Sequence, residues 1–321
     1  MFAVHCELKI YKERKLKTIW LCTFSLLILP LYVGAKEIAL TFDDAPLPGS
    51  ELMSGEEKTT RIITALKENK VPDALFFVTT NNINSEDAKL RLQRYTQAGF
   101  HLANHSYSHL SANKTEVKNY LIDFYQAHLA LQDFDNVLNF HRFPYLHYGE
   151  THQARTTISE NLQQLAQKIG YVTVDNFDWY INAELVAAHR QGKTIDYQKL
   201  KQFYVETLWQ NIEFYDEIAL QTLGRSSKHV LLLHENETAA LFLGDLIAYI
   251  RAKGWTIISP QEAYTDDIAN QYNPSFSFTK QGRVAAIAHA KGVDKKALRH
   301  ENESTKVLEA KLAELGVFKL P

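Results

Sequence analysis

Two adjacent carboxylates, Asp43 and Asp44, stand at the end of a short apolar run and are followed by Pro46. This pattern is typical of a buried strand that delivers both acids to the loop at its C-terminal end. Neighbouring carboxylates repel each other and burial raises their pKa, so such a pair indicates a bound cation or a reaction. Because Asp-Asp pairs also occur in solvated turns, the other polar clusters must decide between the two interpretations.

Two histidines, His105 and His109, are four residues apart in the sequence. On a helical turn this spacing lets both imidazoles face one cation. With a carboxylate they would form a three-ligand metal site that leaves a coordination position for water, as hydrolytic sites do. The alternative is that His105 caps the next helix and His109 is exposed, but the paired acids at another strand end favour the metal site.

Further polar and aromatic residues follow other predicted strands. His234 is a candidate general acid for a leaving amine or alcohol, and Asp178 would raise its pKa by holding the imidazolium. Arg142 could form a fork with a carboxylate and orient it. Trp179 and Tyr145 offer a surface for stacking a sugar or lining an acetyl group. The alternatives are that His234 is a core histidine, that Arg142 forms a surface ion pair, and that the two aromatic residues only pack.

The elements that must position these residues alternate regularly along residues 36–264. Strands are predicted over residues 38–42, 74–78, 100–103, 137–140, 171–174, 229–233 and 255–259, with helical segments between them. This repetition predicts an α/β fold, a distorted (β/α) barrel of about seven parallel strands, with a doubly wound open sheet as the alternative. Five of the strands end in Asp, His or Arg clusters, and barrel chemistry lies at such strand ends.

The two ends of the chain differ from this pattern. Residues 1–35 combine a basic region, an apolar run and small residues before Lys36, which predicts a signal peptide and export to the periplasm or medium. An uncleaved N-terminal anchor, which would place the protein at a membrane, is the alternative. Residues 265–321 predict a helical extension, with helices over 283–290 and 304–315, that packs on the 36–264 domain.

Composition and cysteine usage narrow the function classes. The 321 residues are 45% hydrophobic and 22% charged, which suits a soluble α/β domain with a large core. The net charge of −2 and the lack of a recognition motif give no reason to expect nucleic acid, and no protein partner is indicated. Both cysteines, Cys6 and Cys22, precede Lys36, so oxygen and imidazole must hold any metal in the mature chain.

Five segments, in this order, resemble the motifs of the polysaccharide deacetylase family, also called the NodB-homology domain or carbohydrate esterase family 4. They are Thr-Phe-Asp-Asp at 41–44, His-Ser-Tyr-Ser-His at 105–109, Arg-Phe-Pro-Tyr at 142–145, Asp-Asn-Phe-Asp-Trp at 175–179 and Leu-Leu-Leu-His at 231–234. The resemblance covers about residues 37–262 and implies a distorted (β/α) barrel. Ala45 departs from the glycine that usually follows the first motif.

The resemblance also implies how the metal and base are arranged. It implies a divalent metal on Asp44, His105 and His109, with zinc expected and cobalt, nickel or manganese as alternatives. Asp43 would be the general base that takes a proton from water, and Arg142 would orient it.

For the remaining residues the resemblance implies roles around the acetyl group. The Tyr145 backbone N–H would stabilise the oxyanion, and His234, tuned by Asp178, would protonate the departing amine. Trp179 and Leu232 would line the pocket for the acetyl methyl. The long segments 47–60 and 180–227 are expected to form walls of the substrate groove.

The predicted function is that of a metal-dependent hydrolase that removes acetyl groups from an N-acetylated polysaccharide. Peptidoglycan, a chitin-like oligomer and poly-N-acetylglucosamine are the candidate substrates. The alternatives are an O-acetyl esterase of the acetylxylan type, and a non-catalytic glycan-binding or scaffolding protein of the cell envelope.

Overall fold

A computed structural model describes residues 36–319 of the chain. The predicted targeting segment, residues 1–35, lies outside the described residues. Between residues 36 and 319, no helix is long and apolar enough to cross a membrane.

The strands form one seven-stranded parallel sheet and one small antiparallel pair. Their bounds are β1 Glu37–Ala45, β2 Leu75–Val78, β3 His101–Asn104, β4 Val137–His141, β5 Lys168–Ile169, β6 Thr194–Ile195, β7 Lys228–His234, β8 Thr256–Ile257 and β9 Phe318–Lys319. The order in the large sheet is β5-β4-β3-β2-β1-β7, with β8 also paired to β1, while β6 pairs with β9. This curled parallel sheet, with helices packed on it, confirms the predicted distorted barrel.

Ten helices connect and cover the strands in the described part of the chain. Their bounds are α1 Gly55–Glu68, α2 Glu86–Gln97, α3 Val117–Leu131, α4 His152–Gln164, α5 Asp178–Arg190, α6 Tyr197–Leu223, α7 Glu237–Ala252, α8 Pro260–Ala263, α9 Arg283–Ala290 and α10 Thr305–Leu315. Short 3₁₀ turns span Thr80–Asn82, Pro144–Leu146, Asp267–Gln271, Lys295–Leu298 and Glu301–Glu303. The side chains of Ser54, Ser85 and Asn236 cap α1, α2 and α7 by accepting backbone N–H bonds.

One predicted strand is wrong. Residues 171–174 form no strand; instead Lys168–Ile169 pairs with β4, and only Val174 makes a single bridge, to Leu231. The backbone N–H groups of Thr173 and Val174 both donate to the Val230 carbonyl, at 3.0 and 3.1 Å. Two consecutive donors on one acceptor interrupt the regular ladder, because a parallel pair spaces its bonds evenly.

The two long segments that are expected to wall a groove each contribute a residue to the cleft at the polar strand ends, Leu47 and Asn182, but both segments are partly helical. Residues 47–60 are helical from Gly55 onward, because Ser54 caps α1. Within 180–227, α6 buries Tyr204, Leu208 and other side chains in the core. The core, not the groove, therefore explains most of the length of the second segment.

The C-terminal part is helical, as predicted, and one of its contacts with the rest of the fold is a close backbone approach to Val172. The Arg283 backbone N–H donates to the Val172 carbonyl at 2.7 Å, and Gly282 before it has φ +89°. A Cβ on Gly282 would lie 2.6 Å from the Val172 carbonyl oxygen. Glycine is required here both by the left-handed backbone and by the approach of the two chains.

Replacement of this glycine tests how strongly the tail is held. We expect Gly282→Ala to lower the free energy of unfolding by about 3 kcal/mol or more, because backbone strain and a clash with Val172 add. Gly254→Ala is the matched control, since Gly254 has φ +83° but nothing within 4 Å of its added Cβ; we expect about 1–2 kcal/mol there. Chemical denaturation of both variants measures the difference, and equal losses would contradict the close contact.

Candidate active site

The register of the parallel strands brings the polar strand ends together. Asp43 on β1 is the Cα partner of His234 on β7. The His105 N–H continues the ladder beyond β3 by donating to the Val78 carbonyl at 3.0 Å, and the Arg142 N–H donates to the Asn104 carbonyl at 2.9 Å. The ends of β1, β3, β4 and β7 thus place four of the predicted site residues at one edge of the sheet.

Asp43 is a buried carboxylate held by a buried guanidinium. Arg142 Nη1 donates to both oxygens of Asp43, at 2.8 and 3.1 Å, and Arg142 is itself fully buried. Burial raises the pKa of Asp43, against the opposing effect of the Arg142 charge. The predicted fork between Arg142 and a carboxylate is present, and it fixes the orientation of Asp43.

Asp44, His105 and His109, here called the metal triad, converge on one point. One ligand atom from each lies within 4.8 Å of the others. Asp44 Oδ1 is 3.6 Å from His105 Nε2 and 3.3 Å from His109 Nε2. One carboxylate and two imidazoles are donors that suit a divalent transition metal, and three protein ligands leave room for a further one. The triad is therefore a candidate metal site.

Hydrogen bonding prepares His105 for this role. Its Nδ1 is 2.8 Å from the Arg142 carbonyl, which can only accept, so Nδ1 carries the proton and Nε2 keeps its lone pair toward the triad. Burial lowers the pKa of His105 well below its ordinary value, and the neighbouring His109 charge lowers it further. The imidazole is thus neutral, which is the form that binds metals.

The predicted helical turn between the two histidines is wrong. The segment after β3 is a loop in which Ser106 and His109 have φ of 71° and 58°, and α3 starts only at Val117, so His105 does not cap it. The buried Asp123 of α3 holds this loop by accepting the N–H groups of Tyr107 and Ser108 at 2.9 and 3.0 Å. The imidazoles converge because of these bonds and not because of helical spacing.

His234 and Asp178 form a tight pair. His234 Nδ1 is 2.6 Å from Asp178 Oδ1, and Asp178 Oδ2 accepts the His234 backbone N–H at 2.9 Å. Burial lowers the pKa of His234, but the Asp178 charge and hydrogen bond outweigh it and raise that pKa to about 10. Because Asp178 occupies Nδ1, the proton on Nε2 is the one available to a substrate.

The remaining predicted residues line the same cleft, which has a volume of about 730 Å³. Tyr145 is 58% exposed and has φ 60°, and its ring centroid lies 4.5 Å from that of His109. Trp179 is 43% exposed, whereas Leu232 is buried. Eight of the ten predicted site residues line the cleft, and Arg142 and Asp178 lie behind two of them.

Several residues at the site have structural roles that the sequence did not predict. Asn176 supports the acid pair, since its Nδ2 donates to the Leu232 carbonyl at 2.6 Å and its Oδ1 accepts the Asp178 N–H at 2.9 Å. Glu235 is fully buried, accepts from Arg91 at 2.9 Å and holds the loop after the acids by accepting the Leu47 N–H at 2.8 Å. Their positions are the signal that could have found them, because Asn176 lies within the motif at 175–179 and Glu235 directly follows the motif at 231–234.

The C-terminal tail contributes unexpected residues to the cleft. Lys280, Gln281 and Arg299 line it together with the metal triad. No sequence motif marked them, and their placement depends on contacts between distant segments such as Thr279 with Leu146.

A family model described as "Polysaccharide deacetylase" matches residues 32–174. The match spans Asp43, the metal triad and Arg142, and it confirms the predicted resemblance to the polysaccharide deacetylase family. A comparison with curated proteins finds no match.

Three of the similar solved structures are a deacetylase, a pseudoenzyme and a carbohydrate esterase. Peptidoglycan deacetylase PdaC from Bacillus subtilis is 20% identical, with 72% of this chain and 92% of that chain covered and a TM-score of 0.47. A CE4 family pseudoenzyme from Bacillus anthracis is 16% identical, with coverage of 72% and 66% and a TM-score of 0.49. A family 4 carbohydrate esterase from Streptomyces lividans, in complex with acetate, is 17% identical, with coverage of 72% and 97% and a TM-score of 0.44.

The acid pair can be tested by titration of the metal-free protein. Asp178→Asn should lower the pKa of His234 from about 10, because burial is then opposed only by the weaker effects of the Asp44 and Asp43 charges. NMR titration of the imidazole measures this, with the exposed Asp133→Asn as control. In the parent protein the raised pKa stabilises the fold below about pH 6.5, and this contribution is lost as the pH rises through 10. An unchanged His234 titration in Asp178→Asn would contradict the pair.

The metal site makes a separate prediction. Asp44→Asn removes the only charged ligand of the triad. Loss of a group that only orients a metal ligand lowers metal affinity by up to about 100-fold, so loss of the ligand charge itself should lower zinc affinity by more than that. Calorimetric titration of chelated protein with zinc measures the change, and Asp133→Asn again serves as control. Equal zinc affinity of the parent and Asp44→Asn would remove Asp44 from the site.

Proposed function

We propose that the protein is a metal-dependent hydrolase that removes acetyl groups from an N-acetylated polysaccharide. The observation that carries the proposal is the shared cleft, in which the oriented Asp43, the metal triad and the Asp178-supported His234 all meet. A base, a candidate metal site and an acid within one cleft are the groups that acyl hydrolysis requires.

The metal triad would hold a divalent ion, and zinc suits two imidazoles and a carboxylate with one position left open. Cobalt, nickel and manganese accept the same donors. When bound, such an ion would polarise the acetyl carbonyl and lower the pKa of water to about 7.

Asp43 is proposed as the general base. Its carboxylate would take a proton from the attacking water. Arg142 keeps the carboxylate aimed, since the buried guanidinium donates to both of its oxygens and is itself held by the Thr41 hydroxyl. Burial raises the pKa of Asp43, which increases its basicity over that of a solvated aspartate. The Tyr145 backbone N–H is proposed to stabilise the negative charge on the acetyl oxygen.

His234 is proposed as the general acid. Its Nε2 proton would pass to the nitrogen of the departing amine while Asp178 holds Nδ1. An amine cannot leave as an anion and must be protonated, whereas an alkoxide leaving group needs this help less. A histidine whose imidazolium is held by Asp178 therefore suits the departure of an amine from an N-acetyl substrate.

The cleft offers suitable contacts for a sugar chain. The exposed faces of Trp179 and Tyr145 can stack on sugar rings, and the buried Leu232 in the same cleft can line the acetyl methyl. Peptidoglycan, chitin-like oligomers and poly-N-acetylglucosamine share the acetamido group that this arrangement would use. We further propose export to the periplasm or medium, which cell fractionation and N-terminal sequencing of the recovered protein would test.

Acetate release tests the function directly. Purified protein should release acetate from N-acetylated glycans, lose this activity on chelation and regain it with zinc. Asp43→Asn should lower kcat by about 10²- to 10⁴-fold, the usual contribution of a positioned base, while zinc affinity is kept. Asp133→Asn is the control for the same exchange at an exposed position, and thermal unfolding verifies that each variant is folded.

Other outcomes identify the alternatives. Faster release from O-acetyl xylan than from N-acetyl glycans would assign an esterase. A protein that binds zinc and glycan but releases no acetate from any of these substrates would support the glycan-binding interpretation.

A further inference from the structure

A second hollow adjoins the cleft along the C-terminal tail. It has a volume of about 520 Å³ and shares Lys280, Gln281 and Arg299 with the lining of the cleft. Its other lining residues come from the tail between Phe278 and Val307, and we call it the tail hollow. The three shared residues therefore border both spaces.

The tail hollow is lined by an excess of positive charge. Its cationic residues are Lys280, Lys295, Lys296 and Arg299. The acid in its lining, Glu301, is engaged by Lys311 at 2.6 Å. Across residues 36–319, no carboxylate lies within 4.0 Å of the three lysine amines. The whole chain has a net charge of −2, so this concentration of cations is local.

Arg299 is held in place between the tail and the cleft. Its Nη2 donates to the Glu303 carbonyl, and its Nε lies 3.9 Å from Glu303 Oε2. The guanidinium carbon lies 5.6 Å from the centre of the Phe177 ring, which lines the cleft. Glu303 is fully buried and accepts the Tyr215 hydroxyl at 2.6 Å. The Arg299 guanidinium is thus held from one side, while 52% of the side chain stays exposed.

The segment that carries Lys280 and Gln281 is fixed on both sides. Before it, the Thr279 hydroxyl donates to the Leu146 carbonyl at 3.0 Å. After it, the Arg283 N–H donates to the Val172 carbonyl at 2.7 Å. Because Leu146 follows Tyr145 in the loop of the cleft, the tail is a fixed wall of the site, and binding would order little additional backbone.

We propose that the tail hollow binds a negatively charged group, a carboxylate or a phosphate, carried by the acetylated glycan whose acetyl group enters the cleft. The inference rests on the proposed function, and it narrows the substrate class to acidic N-acetylated glycans. Fixed Arg and flexible Lys side chains are the residues that recognise such groups. A glycan is favoured over nucleic acid because the hollow shares a wall with a cleft that presents an exposed Trp179 and a candidate metal site.

Direct binding tests this without turnover. The probes are a neutral tetrasaccharide of N-acetylglucosamine, the same chain with lactyl carboxylates on two sugars, and the same chain with 6-phosphates on two sugars. Calorimetry would use the whole 321-residue chain, chelated to prevent hydrolysis. The test variant is Lys295→Gln/Lys296→Gln, which changes only the tail hollow. The control is Lys118→Gln/Lys168→Gln, two exposed lysines that line neither space.

We expect the parent and the control to bind a charged probe about fivefold more tightly than the neutral one, as two exposed ion pairs allow. The test variant should lose most of this preference, and 0.5 M NaCl should reduce it in the parent. If the parent binds only one of the two charged probes more tightly than the neutral probe, the group on that probe, carboxylate or phosphate, is identified as the ligand. Circular dichroism verifies that both double variants are folded.

Three results would overturn the proposal. They are equal affinity for charged and neutral probes, equal losses in the test and control variants, and equally tight binding of a single-stranded DNA with the same number of charges. Acetate release is measured separately on the neutral chain with metal restored. A charge preference without any acetate release would support anion binding by the tail hollow and contradict the proposed hydrolase. Acetate release without a charge preference would support the hydrolase and contradict anion binding by the tail hollow.

Discussion

The buried pair of Asp43 and Arg142 is the interaction on which the rest of the site depends. An uncompensated guanidinium in the protein interior is strongly unfavourable, and removal of one partner of a buried pair typically costs about 3–5 kcal/mol. The Arg142 guanidinium is compensated by hydrogen bonds that it donates to Asp43, the Thr41 hydroxyl, the Gly170 carbonyl and the Tyr264 hydroxyl. These partners come from β1, the turn after β5 and the end of α8, so the ion pair joins segments far apart in sequence.

Arg142 also orients a ligand of the candidate metal site. The backbone carbonyl of Arg142 accepts from His105 Nδ1, while its side chain holds Asp43. A shift of Arg142 would therefore move the proposed base and a candidate metal ligand together. The relative position of these two groups is consequently determined by one residue and not by two independent loops.

The sequence predicted the sheet and most of the cleft because their signals are local. Apolar runs ending in Asp43, His105, Arg142 or His234 reveal strand ends, and parallel strands gather their ends at one edge. The prediction of a strand over residues 171–174 was wrong because an apolar run in the sequence does not show that two consecutive N–H groups donate to the same carbonyl, that of Val230.

The residues that were missed depend on distant contacts. Lys280 and Arg299 reach the cleft through pairings such as Thr279 with Leu146, which are 133 residues apart. Such contacts leave no periodic pattern in the sequence. Glu235 was within reach of sequence reasoning, since a carboxylate directly after a buried strand needs a partner such as Arg91.

The local backbone of the site explains why its histidines could not sit on a helix. Asp44, His109 and Tyr145 all have φ between 58° and 67°, a conformation that costs a residue with a side chain about 1–3 kcal/mol. It persists because hydrogen bonds surround it: Asn82 donates to the Asp44 carbonyl at 3.1 Å, and the His109 N–H donates to Ser106 Oγ at 2.9 Å. Left-handed residues turn the chain sharply enough to aim side chains from three separate segments at one point: the end of β1, the loop after β3 and the 3₁₀ turn after β4. A regular helix would place both imidazoles on its own surface, whereas here the strained loops place them against Asp44 and beside the oriented Asp43.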